Sequence, residues 1–325
     1  MYARERTRAV ALRARYPHAA EVLGLYLALV EVWESAADDV PEEGAVGWAR
    51  RHVLHRVAEA TLANGPPLLA AAVTTAFGLS ATTGATTGTG TGATAGAGTG
   101  AGMSPSPDDG VDELLAAWLA GDELTPVERY LARATLRVIP PPAAGVQARA
   151  VATPDVPPGV AKLGRCPACG GPPQLSYRAA IDDPLVSGRR MLVCAKCGYE
   201  WNFSATTCPN CGETGKRTVY AEARAGPQVG RAGPHDSHLA PHRPHPGPHL
   251  GSGTGPVDRE LVGQALLFPH LRAESCHTCR RYLIDVDLGR DPRAVPEVDE
   301  LVAVPIDLHM AEQGYTKITP NLMGF

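Results

Sequence analysis

The sequence predicts an α+β protein in which a helical N-terminal domain is followed by two small four-cysteine metal modules and a short C-terminal helix. Three observations predict this fold class. Apolar residues recur at helical spacing in the first half, all eight cysteines fall in C-x-x-C pairs in the second half, and short strand-like segments lie between those pairs. With 325 residues and 44% hydrophobic content, the chain is long enough for two or more domains with a buried core.

The N-terminal half is predicted to be a series of helices. An Arg-rich amphipathic stretch over 1–16 precedes a helix over 17–35, whose apolar residues from Val22 to Trp33 share one face. Helical spacing continues over 45–64 and stops at an Asn-Gly-Pro-Pro breaker. Two further helices are predicted over 111–119 and 126–138, the second entered through Thr125 as its cap.

No segment has the run of about 18–20 apolar residues that a transmembrane helix needs. No apolar segment of the secretory type follows the Arg-rich N-terminus. We therefore expect a cytoplasmic protein without membrane contact.

Composition predicts the domain boundaries. Residues 1–139 form the helical domain, with a low-complexity insertion of Ala, Thr and Gly at 78–107, and 140–164 form a Pro-rich linker. The two metal modules are predicted at 165–206 and 207–290, and the second carries a disordered His/Pro-rich insertion at 225–256. Residues 291–325 form a C-terminal helical segment, with its helix over 305–313.

The cysteines carry the chemistry. A C-x-x-C pair on a tight turn brings two thiolates to one side of the backbone, where both reach one tetrahedral metal ion. Glycines 170, 198 and 212 follow three of the pairs and supply the positive φ that such a turn needs. The candidate metal ligands are Cys166, Cys169, Cys194, Cys197, Cys208, Cys211, Cys276 and Cys279. Four such pairs are enough for two closed sites.

Three other uses of these cysteines fit less well. Structural disulfides need an oxidising compartment, a thioredoxin-type pair occurs as a single C-x-x-C, and ferredoxin-type clusters use denser cysteine runs. Separation along the chain assigns the first two pairs, at 166–169 and 194–197, to site one. The pairs at 208–211 and 276–279 then form site two, although crossed pairings stay open. Either site is expected to hold a single ion.

The segments around the first two pairs predict a hairpin. Residues 189–193 form the strand that delivers Cys194, and the alternating segment after Cys197 places Trp201 and Phe203 on one face. These two aromatic rings are expected to shield the sulfurs of site one from water.

The cysteine segments resemble the formate dehydrogenase accessory protein FdhE family, which has a double rubredoxin-like C-x-x-C module. The resemblance rests on the motifs CPACGGPP at 166–173, GRRML at 188–192, CAKCGYEW at 194–201, CPNC at 208–211, LRAESCHTC at 271–279 and DLHMAEQGY at 307–315. The helical half resembles the family only in helicity and size, and both low-complexity insertions depart from its pattern.

The resemblance implies a cytoplasmic maturation factor that binds the catalytic subunit of a molybdenum (or tungsten) formate dehydrogenase and supports its activation. It also implies two mononuclear iron sites with the eight cysteines as ligands. The ligands alone do not separate iron from zinc, because tetrahedral four-sulfur sites suit both metals. We expect no enzyme activity, since the sequence offers no phosphate loop, nucleophile elbow or H-E-x-x-H motif. An independent electron carrier is a further alternative.

A rival hypothesis is a zinc-ribbon protein that binds nucleic acid or a gene-expression machine. Residues 162–224 contain nine basic and five acidic side chains, a formal charge of +4. Metal sites of four thiolates cancel most of this charge, and a basic stripe with stacking aromatic residues is missing. We therefore expect no nucleic-acid partner.

Overall fold

The computed structural model describes residues 2–76, 107–141, 163–179, 188–221 and 267–324, with 107–113 described by their backbone only. The predicted insertions at 78–107 and 225–256 lie outside these residues, except Pro107, which begins a helix. Most of the predicted 140–164 linker also lies outside them. The domain boundaries proposed from composition stay a prediction.

Helices make up the described N-terminal half, as predicted. They are α1 (Ala3–Arg15), α2 (Ala20–Ala36), α3 (Ala45–His52), α4 (Leu54–Asn64), α5 (Pro67–Ala76), α6 (Pro107–Ala120) and α7 (Pro126–Leu136). The predicted helix over 45–64 is divided between α3 and α4 at Val53, where φ is −113°. The backbone hydrogen bonds from Val53 to Ala49 and from Val57 to Val53 continue across the division. The chain therefore bends there without leaving the helical path.

Helix α2 forms the centre of the helical core. Its residues Leu23, Leu29 and Trp33 are fully buried. The indole of Trp33 packs edge-on against Tyr26 at 5.6 Å between ring centroids and donates a hydrogen bond of 2.8 Å to the Ala134 carbonyl of α7. The predicted apolar face is therefore the face that holds the helices together.

Helix α7 begins with a capping box, so the start predicted from Thr125 and Pro126 is confirmed. The Thr125 hydroxyl accepts a hydrogen bond from the Glu128 amide, and the Glu128 carboxylate accepts one from the Thr125 amide. Replacing Thr125 by alanine is expected to lower the free energy of unfolding by about 1 kcal/mol, because an amide in the first turn loses its partner. Urea unfolding checks this, with Thr125→Ser as the control that keeps the cap. Equal losses in both variants would contradict the role of the hydroxyl.

The second half contains a seven-stranded sheet. Its strands are β1 (Pro173–Arg178), β2 (Arg190–Cys194), β3 (Glu200–Asn202), β4 (Arg217–Tyr220), β5 (Leu271–Cys276), β6 (Arg281–Asp287) and β7 (Thr316–Lys317). The order is β3-β2-β1-β6-β5-β4, and β7 pairs with β6. The predicted hairpin is present, because β1 and β2 pair antiparallel with Pro173 opposite Cys194.

The two cysteine modules share this sheet. Strands β1 to β3 form one antiparallel group and β4 to β6 form the other. A parallel pairing of β1 with β6, in which Ser176 lies opposite Asp285, joins the groups edge to edge. The modules are therefore continuous with one another, which the separate modules inferred from spacing do not anticipate.

The C-terminal segment packs against both halves. It contains α8 (Pro296–Asp299) and α9 (Val304–Glu312), and α9 is the predicted short helix, followed by Gly314 at a φ of +72°. The α+β class, the two cysteine clusters and the C-terminal helix are thus confirmed. Among the described residues, no helix is both long and apolar enough to span a bilayer.

Candidate metal centres

Site one brings together the first two C-x-x-C pairs. The sulfurs of Cys166, Cys169, Cys194 and Cys197 all lie within 4.8 Å of one another. Cys166 is 3.7 Å from Cys197, and Cys169 is 3.4 Å from Cys194. Each pair lies on a tight turn, in which the amides of Gly170 and Gly198 donate to the carbonyls of Cys166 and Cys194. Both glycines have the positive φ that their position predicts, +71° and +67°.

Site two brings together the other two pairs. Its sulfurs, from Cys208, Cys211, Cys276 and Cys279, also lie within 4.8 Å of one another. Cys208 is 3.8 Å from Cys279, and Cys211 is 3.6 Å from Cys276. The clusters therefore follow the sequential pairing, and the crossed alternative does not occur.

The fourth turn uses arginine where the other three use glycine. The Arg280 amide donates to the Cys276 carbonyl, and Arg280 has a φ of +56°, the left-handed region that glycine normally occupies. The Arg280 guanidinium lies 3.9 Å from the centre of the Tyr315 ring and donates to the Gln313 carbonyl. These contacts stabilise a conformation that costs a non-glycine residue free energy.

The sulfur separations fit a tetrahedral ion and exclude disulfides. A metal–sulfur bond of about 2.3 Å places tetrahedral sulfurs roughly 3.8 Å apart, whereas a disulfide bond is about 2.05 Å long. Sulfur–sulfur separations of 3.4 to 3.8 Å within the clusters lie close to the tetrahedral value. All eight cysteines are free thiols. Each cluster could therefore hold one metal ion, with all four positions taken by sulfur.

Both clusters have the same gradient of exposure. The first and third cysteines of each cluster are buried, and in site one these are Cys166 and Cys194. The second cysteine of each cluster is exposed, Cys169 in site one and Cys211 in site two. Without a metal, hydrogen bonding to Cys166 and Cys169 raises the pKa of Cys194, and burial raises the pKa of Cys208 to about 12. A bound metal ion has to displace such protons.

The shielding expected at site one is only partly present. Tyr199 and Trp201 pack against the buried cysteines, together with Ala168. Phe203 does not pack there, because its ring lies against the Arg190 guanidinium at 5.9 Å from the centroid. The strand ends at Asn202, so the alternation that would place Phe203 beside Trp201 stops one residue too early.

The two sites are neighbours along the surface. The segment that leads into site one passes the turn of site two so closely that a Cβ atom on Gly164 would lie 1.9 Å from the Pro209 carbonyl oxygen. Leu163 likewise contacts Gly212. Gly164 also has a φ of +70°. Glycine is therefore required here both because it adopts a positive φ and because it has no side chain to collide with Pro209.

A methyl group at Gly171 would press into site one. A Cβ atom there would lie 2.9 Å from the Cys194 sulfur and 3.2 Å from the Cys169 sulfur. Gly171→Ala is therefore expected to reduce metal retention at site one by roughly tenfold or more, in the range seen when residues supporting the ligands are changed. Metal content after challenge with a chelator checks this. Gly215→Ala, where the nearest atom is 3.6 Å away, is the control; equal metal loss in both would contradict it.

This chain is similar to several known proteins. Residues 261–323 match the family model described as "FdhE, C-terminal domain". A curated protein named "Protein FdhE homolog" from Aquifex aeolicus (strain VF5) is 26% identical over 160 residues, which are 49% of this chain and 41% of that protein. A protein of the same name from Pseudomonas aeruginosa is 27% identical over 158 residues, 49% of this chain and 38% of that protein.

These alignments span about two fifths of the length of the curated relatives. The crystal structure of the FdhE protein from Pseudomonas aeruginosa matches the fold with a TM-score of 0.53 at 20% identity, covering 99% of this chain and 95% of that one. At that identity the structural match shows a shared fold alone. The family model falls on the fourth C-x-x-C pair, β5 to β7 and the C-terminal helix, and it covers two of the six motifs on which the resemblance rests. The resemblance to the FdhE family is therefore confirmed: residues 261–323 match its C-terminal domain, and curated FdhE homologues align with about half of this chain.

Proposed function

We propose that this chain is a cytoplasmic accessory factor that binds the catalytic subunit of a molybdenum or tungsten formate dehydrogenase and supports its activation. The observation that carries the proposal is the gathering of four C-x-x-C pairs into two four-sulfur clusters in a chain that resembles the FdhE family. The family resemblance supports the role, and the closed sulfur geometry supports a binding protein over an enzyme.

The proposal assigns all eight cysteines as metal ligands, four to each ion, with iron as the metal in both sites and zinc as the alternative. Four sulfurs complete a tetrahedral shell, so no substrate could enter it. Iron in such a shell supplies one-electron chemistry when bound, and either metal would fix the turns that carry the cysteines. What the chain itself contributes is a rigid platform, since both clusters are attached to one sheet.

Co-purification tests the proposal. A tagged full-length chain, produced anaerobically in its own host, is expected to retain the formate dehydrogenase catalytic subunit, and removing the chain is expected to lower formate dehydrogenase activity. Arg293→Gln is the matched control, because the Arg293 side chain is 85% exposed and belongs to neither cluster. Absence of the catalytic subunit from the eluate, with dehydrogenase activity unchanged in cells lacking the chain, would contradict the role. Recovery of nucleic acid in its place would support the rival hypothesis.

A further inference from the structure

A cleft rich in arginine opens on the sheet beside the junction of the two modules. It has a volume of about 540 Å³, within the range of ligand pockets. Its polar and aromatic lining comes from the end of β1, the start of β2 and the end of β3, with the chain next to them: Arg178, Arg189, Arg190, Asn202, Phe203 and Ser204. No acidic residue is among the described residues that line it. We call this the arginine cleft.

Beneath the cleft, arginines outnumber carboxylates. Arg178, Arg190 and Arg217 all pair with Glu274. Arg178 also pairs with Asp285, as does Arg272. Among the described residues, these four guanidinium groups therefore face two carboxylates, which leaves two positive charges in excess. Arg272 also approaches Asp287 at 3.8 Å, but Asp287 in turn faces Arg290 at 3.6 Å, so this pair adds no net charge. Arg189 on the cleft wall adds a further positive charge.

The arginines around Asp285 hold that carboxylate in its charged form. Burial alone would raise the pKa of Asp285, but the Arg272 and Arg178 guanidinium groups and the Ser176 hydroxyl hold it below its usual value. Glu274 is 5% exposed and accepts hydrogen bonds from Arg178 and Arg217. In the part of the chain that the structure describes, the arginines of this cluster therefore outnumber the carboxylates that they contact.

Arg190 carries an unused donor at this position. It is 1% exposed, its Nη1 donates to the carbonyls of Ser204 and Thr207, and its Nη2 lies 2.7 Å from Glu274. Its Nε is buried and has no hydrogen-bond partner among the described residues. A buried guanidinium donor without an acceptor costs free energy, and a bound oxyanion would remove that cost.

We propose that the arginine cleft is a binding site for a phosphate group, either inorganic phosphate or the phosphate of a monoester ligand. Guanidinium groups bind phosphate through paired N–H donors, and the excess of two positive charges matches a dianion better than a carboxylate. The amide of Asn202 and the hydroxyl of Ser204 are further donors on the wall. The inference is independent of the proposed function.

Isothermal titration of the full-length, metal-loaded chain with inorganic phosphate and with phenyl phosphate tests the proposal. One saturable site per chain is expected. Equal affinity for both probes identifies free phosphate as sufficient, and tighter binding of phenyl phosphate identifies a monoester ligand. Acetate, a monoanion, is expected to bind roughly tenfold more weakly. Arg190→Gln is expected to weaken phosphate binding by roughly tenfold or more, and Arg189→Gln by roughly threefold.

If Arg190→Gln fails to fold, Arg189→Gln still tests the proposal, because Arg189 is exposed. Arg293→Gln, which is not among the residues that line the cleft, is expected to bind as the unchanged chain does. Absence of saturable binding of both phosphates, or equal binding by the folded Arg189→Gln variant, would overturn the proposal. Tighter binding of a single-stranded oligonucleotide than of either phosphate, with the steep salt dependence of several phosphate contacts, would also overturn it.

Discussion

Replacing Cys194 by serine is expected to remove one metal ion per chain and to lower the free energy of unfolding by about 3 kcal/mol or more. Metal binding at a structural four-ligand site contributes roughly 10–16 kcal/mol to the folding of small metal domains, and the variant lacks one of the four ligands. Cys194 is buried at the end of β2, opposite Pro173 of β1. Loss of the ion would therefore release the turn that holds the two strands in register. Metal analysis and urea unfolding measure both effects.

Two variants separate ligand loss from a general defect. Ala195→Ser introduces the same hydroxyl at the adjacent, similarly buried position and is expected to keep both ions. Cys276→Ser is expected to lose the ion of site two and to retain that of site one. Cys194→Ser with two ions still bound and unchanged stability would contradict the assignment of site one. The parallel pairing of β1 and β6 predicts, in addition, that loss of either ion reduces the stability of the neighbouring module.

Replacing Asp299 by asparagine is expected to lower the free energy of unfolding by about 3–5 kcal/mol, because it removes one partner of a buried ion pair. Asp299 is fully buried at the end of α8. Its carboxylate accepts hydrogen bonds from Arg8 of α1, at 2.9 Å from Nε, and from the Val295 amide at 2.7 Å. His270 lies 2.7 Å from it. Asparagine has the same shape but leaves the buried Arg8 guanidinium with less negative charge.

Asp291→Asn is the matched control for this prediction. Asp291 also pairs with Arg8, at 2.8 Å, but its side chain is 13% exposed and water can replace part of its contribution. A loss of about 1 kcal/mol or less is expected there. Equal losses in the two variants, measured by urea unfolding, would show that Asp299 does not join the helical half to the C-terminal segment in the way the contacts indicate.

Local patterns predicted most of the elements and the composition of both clusters. Helix α2 follows from its apolar spacing, α7 from its capping box, and the turns after Cys169, Cys197 and Cys211 from the glycines that follow them. These features depend on residues within one or two turns of the chain. Local patterns do not determine which C-x-x-C pairs share a site. Only ten residues separate Cys197 from Cys208, so spacing alone also allows crossed pairings.

The features that depend on distant residues could not be predicted in this way. The β1–β6 pairing joins segments about 109 positions apart, as Ser176 and Asp285 illustrate, and parallel pairing leaves no turn signal between the strands. Arg8 is the one arginine among the described residues of α1 that contacts Asp299. Nothing in the local sequence distinguishes Arg8 from Arg4 or Arg13. The expected role of Phe203 was wrong because strand β3 ends before that residue.

The central claim is that two quartets of cysteine thiolates each hold one metal ion. Anaerobic purification of the full-length chain, followed by metal analysis and an absorption spectrum after oxidation, tests it most directly. Two metal ions per chain are predicted, with the visible charge-transfer bands of ferric four-sulfur centres if the metal is iron and a colourless protein if it is zinc. A chain that folds stably with less than one ion bound, or whose sulfurs are found joined as disulfides by mass spectrometry, would contradict the account.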